Sequence, residues 1–358
     1  MMTNSAARLN GRSAHRADFA VLLNANAKQV DARVRGALER VVPADDLFLS
    51  HSAREAHEIA DKVVERRYPT VFTGGGDGTF VGWVNRILDR SAVHGAPAPR
   101  FGVLALGTGN AVAEVVGARQ HAQMEDLAAF ARGAANAVCR LDLLVCEGRR
   151  TPFAGVGIDA AVINDYNWLK NALGDTALSP LATGVPGYGL AIALRSAPRY
   201  LLERRASYCE IVNAGRPAHR LDARGRRIGC AIGRGEVLYA GPCMMAAAST
   251  VPFYGFGLKV FPFAQSYPGM LQLRIATQIS VPTVVRNLQR IWSGEFEHPG
   301  LIDFHAERVT VQFERPVPLQ VGGDAEGWRD RVTFGMAPAP VELVDFGASL
   351  RRPRLLPN

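Results

Sequence analysis

Gly74-Gly75-Gly76-Asp77-Gly78-Thr79 sets four glycines around one carboxylate, between the apolar run Thr70–Thr73 and a helix-like run Phe80–Leu88. Glycine has no Cβ to keep phosphate away from the backbone, and the helix start adds free N–H donors and a positive dipole end. The pattern returns after the run Phe101–Leu106, as Gly107-Thr108-Gly109-Asn110 leading into a short helical run from Ala111. One such turn is also an ordinary link from strand to helix. Two on successive strand–helix units point to a site for nucleotide phosphates. Neither turn is followed by the Lys-Ser or Lys-Thr of a P-loop, and neither has dinucleotide-fingerprint spacing.

The elements that must position these turns are legible upstream. Phe19–Asn24 reads as a strand and Val30–Val42 as an amphipathic helix, with Val30, Val34, Leu38 and Val41 on one face. Leu47–Leu49 is a short strand. Ser52 with Glu55 forms a capping box for a helix to about Arg67. A helix over Met124–Ala137 and a strand over Cys139–Cys146 complete the alternation, which predicts an α/β fold with a doubly wound open sheet. On such sheets ligands lie at the carboxyl ends of strands, where both glycine turns fall. Beyond Glu147-Gly148-Arg149-Arg150 the texture changes to β-branched runs between Gly/Pro turns: Tyr208–Val212, Ile228–Ile232, Leu271–Ile275, Val309–Phe313 and Val332–Phe334. These predict a second, mainly antiparallel β domain, with helices over Gly187–Leu202 and Pro282–Trp292.

At 358 residues, 48% apolar and 21% charged, the chain has the composition of a globular protein with room for two cores. Its five cysteines show no metal-ligand spacing and read as structural thiols in a reducing compartment. Residues 1–18 read as a polar, basic tail with no secretory signal. Two long uncharged stretches, Thr176–Leu194 and Val237–Leu258, carry several prolines and glycines and suit buried strands and loops better than membrane spans. The net charge of +8 is concentrated between Arg195 and Arg234, where ten arginines face three acids. That segment could hold the protein at an anionic membrane surface, or be a solvated face in an arginine-rich chain. No aromatic-interleaved basic run or zinc finger supports nucleic acid.

Taken in order, these features resemble the diacylglycerol kinase and sphingosine kinase superfamily, with NAD kinases as more distant relatives. The resemblance spans roughly Phe19 to Phe346 and is strongest in Gly74–Thr79, Asn85, Gly107–Asn110 and Gly155-Val156-Gly157-Ile158-Asp159-Ala160. It implies a nucleotide domain over 19–148, a β-sandwich-like lipid domain over 149–334, and a C-terminal segment 335–358 that could return to the first domain. It further implies Mg-ATP as phosphoryl donor and a lipid hydroxyl as acceptor. By position, the nucleotide would be held by Asn24, Ser50, Gly74, Gly75, Gly76, Gly78, Thr79, Gly107, Thr108, Gly109, Asn110 and Lys170, with Asp159 near the acceptor. Asp77 and Asp324 are the expected catalytic acids, and no metal ligands are assigned. For Asp77 the plainer reading is a turn aspartate binding nearby N–H groups.

The departures from the family pattern are specific. Gly82 stands where relatives usually carry a glutamate, Ala111 where they often carry an aspartate, and Pro268 replaces an acid in Pro262–Gly269. The family's Asp-Gly-Glu matches Gly322-Gly323-Asp324 without a gap, or Asp324-Ala325-Glu326 with a two-residue shift. The function expected is an ATP-dependent kinase of a diacylglycerol-like or sphingoid lipid, cytoplasmic and peripheral to the membrane, with no nucleic acid partner. A dimer is compatible with the sequence and the oligomeric state is open. A catalytically weak nucleotide- or lipid-binding homologue and a kinase of a soluble, NAD-like substrate are the alternatives.

Overall fold

Strand β1 (Phe19–Asn24) is apolar on both faces and buried along nearly its whole length, as the middle of a helix-covered parallel sheet requires. The structure, a computed structural model, describes residues 18–25, 30–107, 110–160, 206–254 and 257–350. From β1 the chain runs through α1 (Ala32–Leu38), β2 (Leu47–Ser50), α2 (Ala53–Glu65), β3 (Thr70–Gly75), α3 (Asp77–Val93) and β4 (Arg100–Ala105). Then come α4 (Ala111–Val115), α5 (Gln123–Ala131) and β5 (Val138–Leu141). Ser52 caps α2 by accepting the Glu55 N–H, while the Glu55 carboxylate takes the His51 N–H, one residue earlier than a capping box predicts.

The first sheet has the order β2-β1-β3-β4, then a late strand β18 (Val341–Val344), then β5. All neighbours are parallel except β5, which runs against β18. The order reverses at β1, with β2 on one side and β3 on the other, so connections diverge there and leave a crevice. Strand ends coincide: Asn24 pairs with Ser50, Leu23 with Gly74, and Gly75 with Ala105. One apolar cluster under α2 and α3 (Ile59, Val63, Phe80, Val84) and another under α1 and α5 (Leu38, Phe72, Leu127, Phe346) cover the two faces.

The second half is antiparallel at every pairing. It comprises β6 (Leu144–Cys146), β7 (Arg149–Thr151), β8 (Phe153–Gly157), β9 (Ser207–Asn213), β10 (Ala218–Leu221), β11 (Arg227–Ile232) and β12 (Val237–Cys243). β13 (Met245–Ser249), β14 (Leu271–Ala276), β15 (Leu301–Ala306), β16 (Arg308–Val321) and β17 (Asp324–Met336) follow. Strand β16 pairs with β9 along its first half and with β8 along its last residues, and its register slips between Gln312 and Val317. Pro316 lies in that slip, where a residue without an N–H breaks the ladder and lets the strand bend. The sheet thereby folds over a shared core that includes Val156, Ile211, Leu273, Phe304, Leu319 and Phe334.

Three sequence-based elements need correction. The single strand expected over Cys139–Cys146 is two, β5 in the first sheet and β6 in the second, with Asp142-Leu143 between them. The helix expected to reach Ala137 stops at Ala131, and Gly133 just beyond it has φ +73°. Pro282–Trp292 forms two short helices, Val281–Arg286 and Leu288–Ser293, separated at Asn287. Val237–Leu258 begins as β12 and β13, and among the described residues no helix is long and apolar enough to cross a membrane. The stretch Thr176–Leu194 and the helix expected over Gly187–Leu202 lie outside the described residues.

Candidate active site

The two glycine turns touch. A Cβ added to Gly107 would run into the backbone N and Cα of Gly76, so the turns after β3 and β4 pack backbone against backbone. Only glycine permits that approach. A Cβ on Gly75 would meet Thr79 Oγ1 at 2.5 Å, which folds the first turn tightly onto the start of α3. In the second turn Asn110 closes the loop by donating from Nδ2 to the Gly107 carbonyl at 2.8 Å. Its Oδ1 is buried with no hydrogen-bond partner among the described residues, an acceptor suited to a ligand's donor.

Asp77, the first residue of α3, ties the turns together. Its Oδ2 accepts the Ala111 N–H at 2.9 Å and its Oδ1 the Val112 N–H at 3.1 Å, so it caps α4 across the crevice. Burial pushes its carboxyl up to about 6 against the pull of those two amides, and the Glu114 charge adds to the rise. Glu114 is itself raised, chiefly by burial of part of its side chain. It lies one helical turn beyond Ala111, the position where relatives often carry an acid.

The second half delivers its acid by a hairpin. Val321 pairs with Asp324 around Gly322 and Gly323, whose φ values of +62° and +89° are those a two-residue hairpin turn needs. This turn sets Asp324 beside the first glycine turn: a Cβ on Gly78 would lie 3.6 Å from Asp324 Oδ1. The carboxylate is mostly exposed and pairs with Arg149 Nη2 at 3.3 Å, while Arg149 Nη1 holds Glu326. In either register open in the sequence, Asp324 is the acid that lies on the cleft.

Behind the hairpin is a polar knot. Tyr254 Oη donates to Asp159 Oδ2 at 2.6 Å, Gln320 Nε2 reaches the same oxygen at 3.2 Å and also Tyr254 Oη, and Gln320 Oε1 accepts the Gly323 N–H at 3.0 Å. Gly155 leaves the room that the Asp159 carboxylate fills. Burial raises the Asp159 pKa, its bonds to Tyr254 and Gln320 oppose the rise, and Oδ1 has no partner among the described residues. The geometry thus links Asp159 to the turn that carries Asp324.

Other candidates fall around the same edge. Asn24 ends β1 beside Ser50, and Ser50 Oγ, buried, donates to the Leu23 carbonyl at 3.2 Å. Gly74 packs against Leu23 and Leu106 as part of the strand floor. Thr108, Gly109 and Lys170 lie outside the described residues. Phe261 is fully buried and stacks on Tyr254 as core. Sequence reasoning did not single out Arg149, Glu114 or Gln320. The paired arginines at the change of texture and the acid one turn past Ala111 were the available signals.

Among the described residues no three metal-ligating side chains converge. Asp77 and Glu114 are the site carboxylates that could stand beside a Mg²⁺ carried mainly by phosphate oxygens and water. The charge of Glu114 stands close enough to raise the Asp77 carboxyl, a repulsion that such a cation would relieve.

A doubly wound sheet with two touching glycine turns, faced by an acid from an antiparallel domain, defines a phosphotransferase of the kinase type. The family model for the diacylglycerol kinase catalytic domain matches residues 19–142, and that for the YegS C-terminal NAD kinase beta sandwich-like domain matches 227–344. Residues 19–142 thus belong to the diacylglycerol kinase catalytic domain family, and residues 227–344 to the YegS C-terminal domain family. Similar solved structures include a diacylglycerol kinase from Bacillus anthracis str. Sterne, at TM-score 0.58 and 12% identity over 92% of this chain and 98% of that one. Two more from the same strain, described as candidate diacylglycerol kinases, give 0.61 at 14% identity over 93% and 98%, and 0.60 at 15% over 92% and 98%. At such identities these likenesses speak for the fold. No curated protein sequence matches the chain significantly.

Proposed function

We propose that the chain is an ATP-dependent lipid kinase, transferring the γ-phosphoryl group to the hydroxyl of a diacylglycerol-like or sphingoid lipid at a membrane surface. The observation that carries this reading is the position of Asp324 against Gly78, at the mouth of two touching phosphate-type turns. Backbone N–H groups of the turns would hold the triphosphate, and the buried Oδ1 of Asn110 would take a donor from the nucleotide. Asp324 accepts the acceptor's hydroxyl proton as its oxygen bonds to the γ-phosphorus and the bond to the β-phosphate oxygen breaks, leaving ADP. Asp77 is a positioning residue that fixes α4 and the second turn. Mg²⁺, held beside Asp77 and Glu114, would neutralise charge on the phosphates. Exposed Arg216, Arg220, Arg224, Arg226 and Arg234 cluster on and around the β10–β11 hairpin and suit an anionic leaflet.

The test is transfer of labelled γ-phosphate to dioleoylglycerol and sphingosine in mixed micelles, and to NAD in solution. Asp324→Asn is expected to slow lipid phosphorylation by about a hundredfold or more, with nucleotide affinity kept. Unchanged turnover in that variant sinks its role. Preferential labelling of NAD would favour the soluble-substrate reading. A second reading, a binding protein with little or no transferase activity, draws on the Asp324–Arg149 ion pair and on Ala111. It requires nucleotide binding without transfer to any acceptor.

A further inference from the structure

Beside the cleft, between α2, α3 and β7, lies an open groove of about 580 Å³ whose lining includes Gly82, Asn85, Arg86, Arg90 and Arg149. Its charges are unevenly answered. Arg90 is held by Asp61, and Asp89 on the rim is held by Arg150 at 2.7 Å. Arg149 carries Asp324 and Glu326. Arg86 has no carboxylate partner among the described residues: its Nη1 donates to the Gly82 carbonyl at 2.9 Å, and its Nε is buried with no partner. Burial, and then the nearby Arg149 charge, hold the Arg86 pKa below its ordinary value. The guanidinium keeps this place because residue 82 is glycine; a Cβ there would lie 2.9 Å from Arg86 Nη1. Four residues past Gly82, α3 thus carries a half-buried cation with no carboxylate partner among the described residues.

We propose that the groove is an anion site, in which Arg86 and Arg149 bind a phosphate monoester, from an acidic lipid headgroup or a free phosphate compound, next to the acid that faces the cleft. Guanidinium groups suit this ligand because their planar forks meet phosphate oxygens two at a time. An arriving dianion would pair with the Arg86 guanidinium, which no carboxylate answers among the described residues, and would compete with Asp324 and Glu326 for Arg149. The groove is distinct from the glycine turns, so it does not depend on what the chain phosphorylates.

Binding is measured on the full-length protein without nucleotide, so a failure of the kinase reading does not touch it. Glycerol 3-phosphate is titrated calorimetrically, and flotation is scored with phosphatidylcholine vesicles with and without phosphatidic acid. Wild type is expected to bind at least one phosphate probe. Arg86→Ala and Gly82→Glu are each expected to weaken that binding about tenfold or more. Response to the soluble probe alone assigns a free phosphate compound; response to phosphatidic acid alone assigns a headgroup; both are outcomes of the same site. Absence of binding by wild type, or equal binding by both variants, overturns it. Should Arg86→Ala fold poorly, Gly82→Glu decides, since replacing glycine inside a helix favours the fold.

Discussion

At the scale of single residues, the two acids of the site divide their work by surroundings. Asp324 is mostly exposed, beside Gly78 and paired with Arg149, whereas Asp77 is buried with both oxygens occupied by backbone amides. The raised carboxyl of Asp77 has a sign that can be worked out. Below 3.8 the group is protonated folded or unfolded; between 3.8 and about 6 only the folded chain keeps the proton; above that neither does. Stability is therefore greatest at the acid end and falls as pH rises through this window, by up to about 3 kcal/mol. Urea unfolding in metal-free buffer between pH 4 and pH 7 should show a decline that Asp77→Asn flattens. Asp159 is shifted the same way, so the difference between the two proteins is the quantity to read. Parallel pH profiles would show that burial does not hold a proton on Asp77.

At the scale of elements, what matters is how closely two turns can approach. Gly107→Ala puts a methyl into the Gly76 backbone and should force the turns after β3 and β4 apart, cutting nucleotide affinity by about tenfold or more. Gly36→Ala is its control, because a Cβ there meets nothing within 4 Å on α1 and should stabilise the helix by up to about 1 kcal/mol. Equal nucleotide affinity in both variants would remove the contact between turns from the account. These turns were legible because glycine requirements are local and show as composition: Gly74 to Gly78 and Gly107 could be read without knowing any neighbour. The cap at Ser52 was legible for the same reason, apart from the one-residue change in where Glu55 reaches. The strand over Cys139–Cys146 was misread because alternation reports burial and not which sheet buries it. Arg149 and Gln320 act through partners distant in sequence, Asp324 and Asp159, and no local pattern announces such pairs.

At the scale of the whole molecule, the chain is sewn together at two places far from the glycines. Asn85 accepts the Arg150 N–H at 2.9 Å and donates to the Arg150 carbonyl at 2.7 Å, clipping α3 to β7 of the second sheet. Asn85→Ala leaves both backbone groups without that partner and should lower phosphoryl transfer more than nucleotide binding, because the clip sets where Arg149 and its partner Asp324 sit. The second stitch is β18, which leaves the antiparallel half and enters the first sheet between β4 and β5. Leu343 and Phe346, both fully buried, come with it; the Gly347 N–H bonds to the Val116 carbonyl, and Ser349 accepts the Ala137 N–H. Without this segment β4 loses a neighbour and two apolar faces meet water, so the first half is not closed by its own contiguous chain. A fragment of residues 18–148 should unfold without a cooperative transition in urea, and covalent addition of 338–350 through a flexible linker should restore one. Cooperative unfolding of the shorter fragment, at the midpoint of the extended one, would show that the first sheet stands without β18.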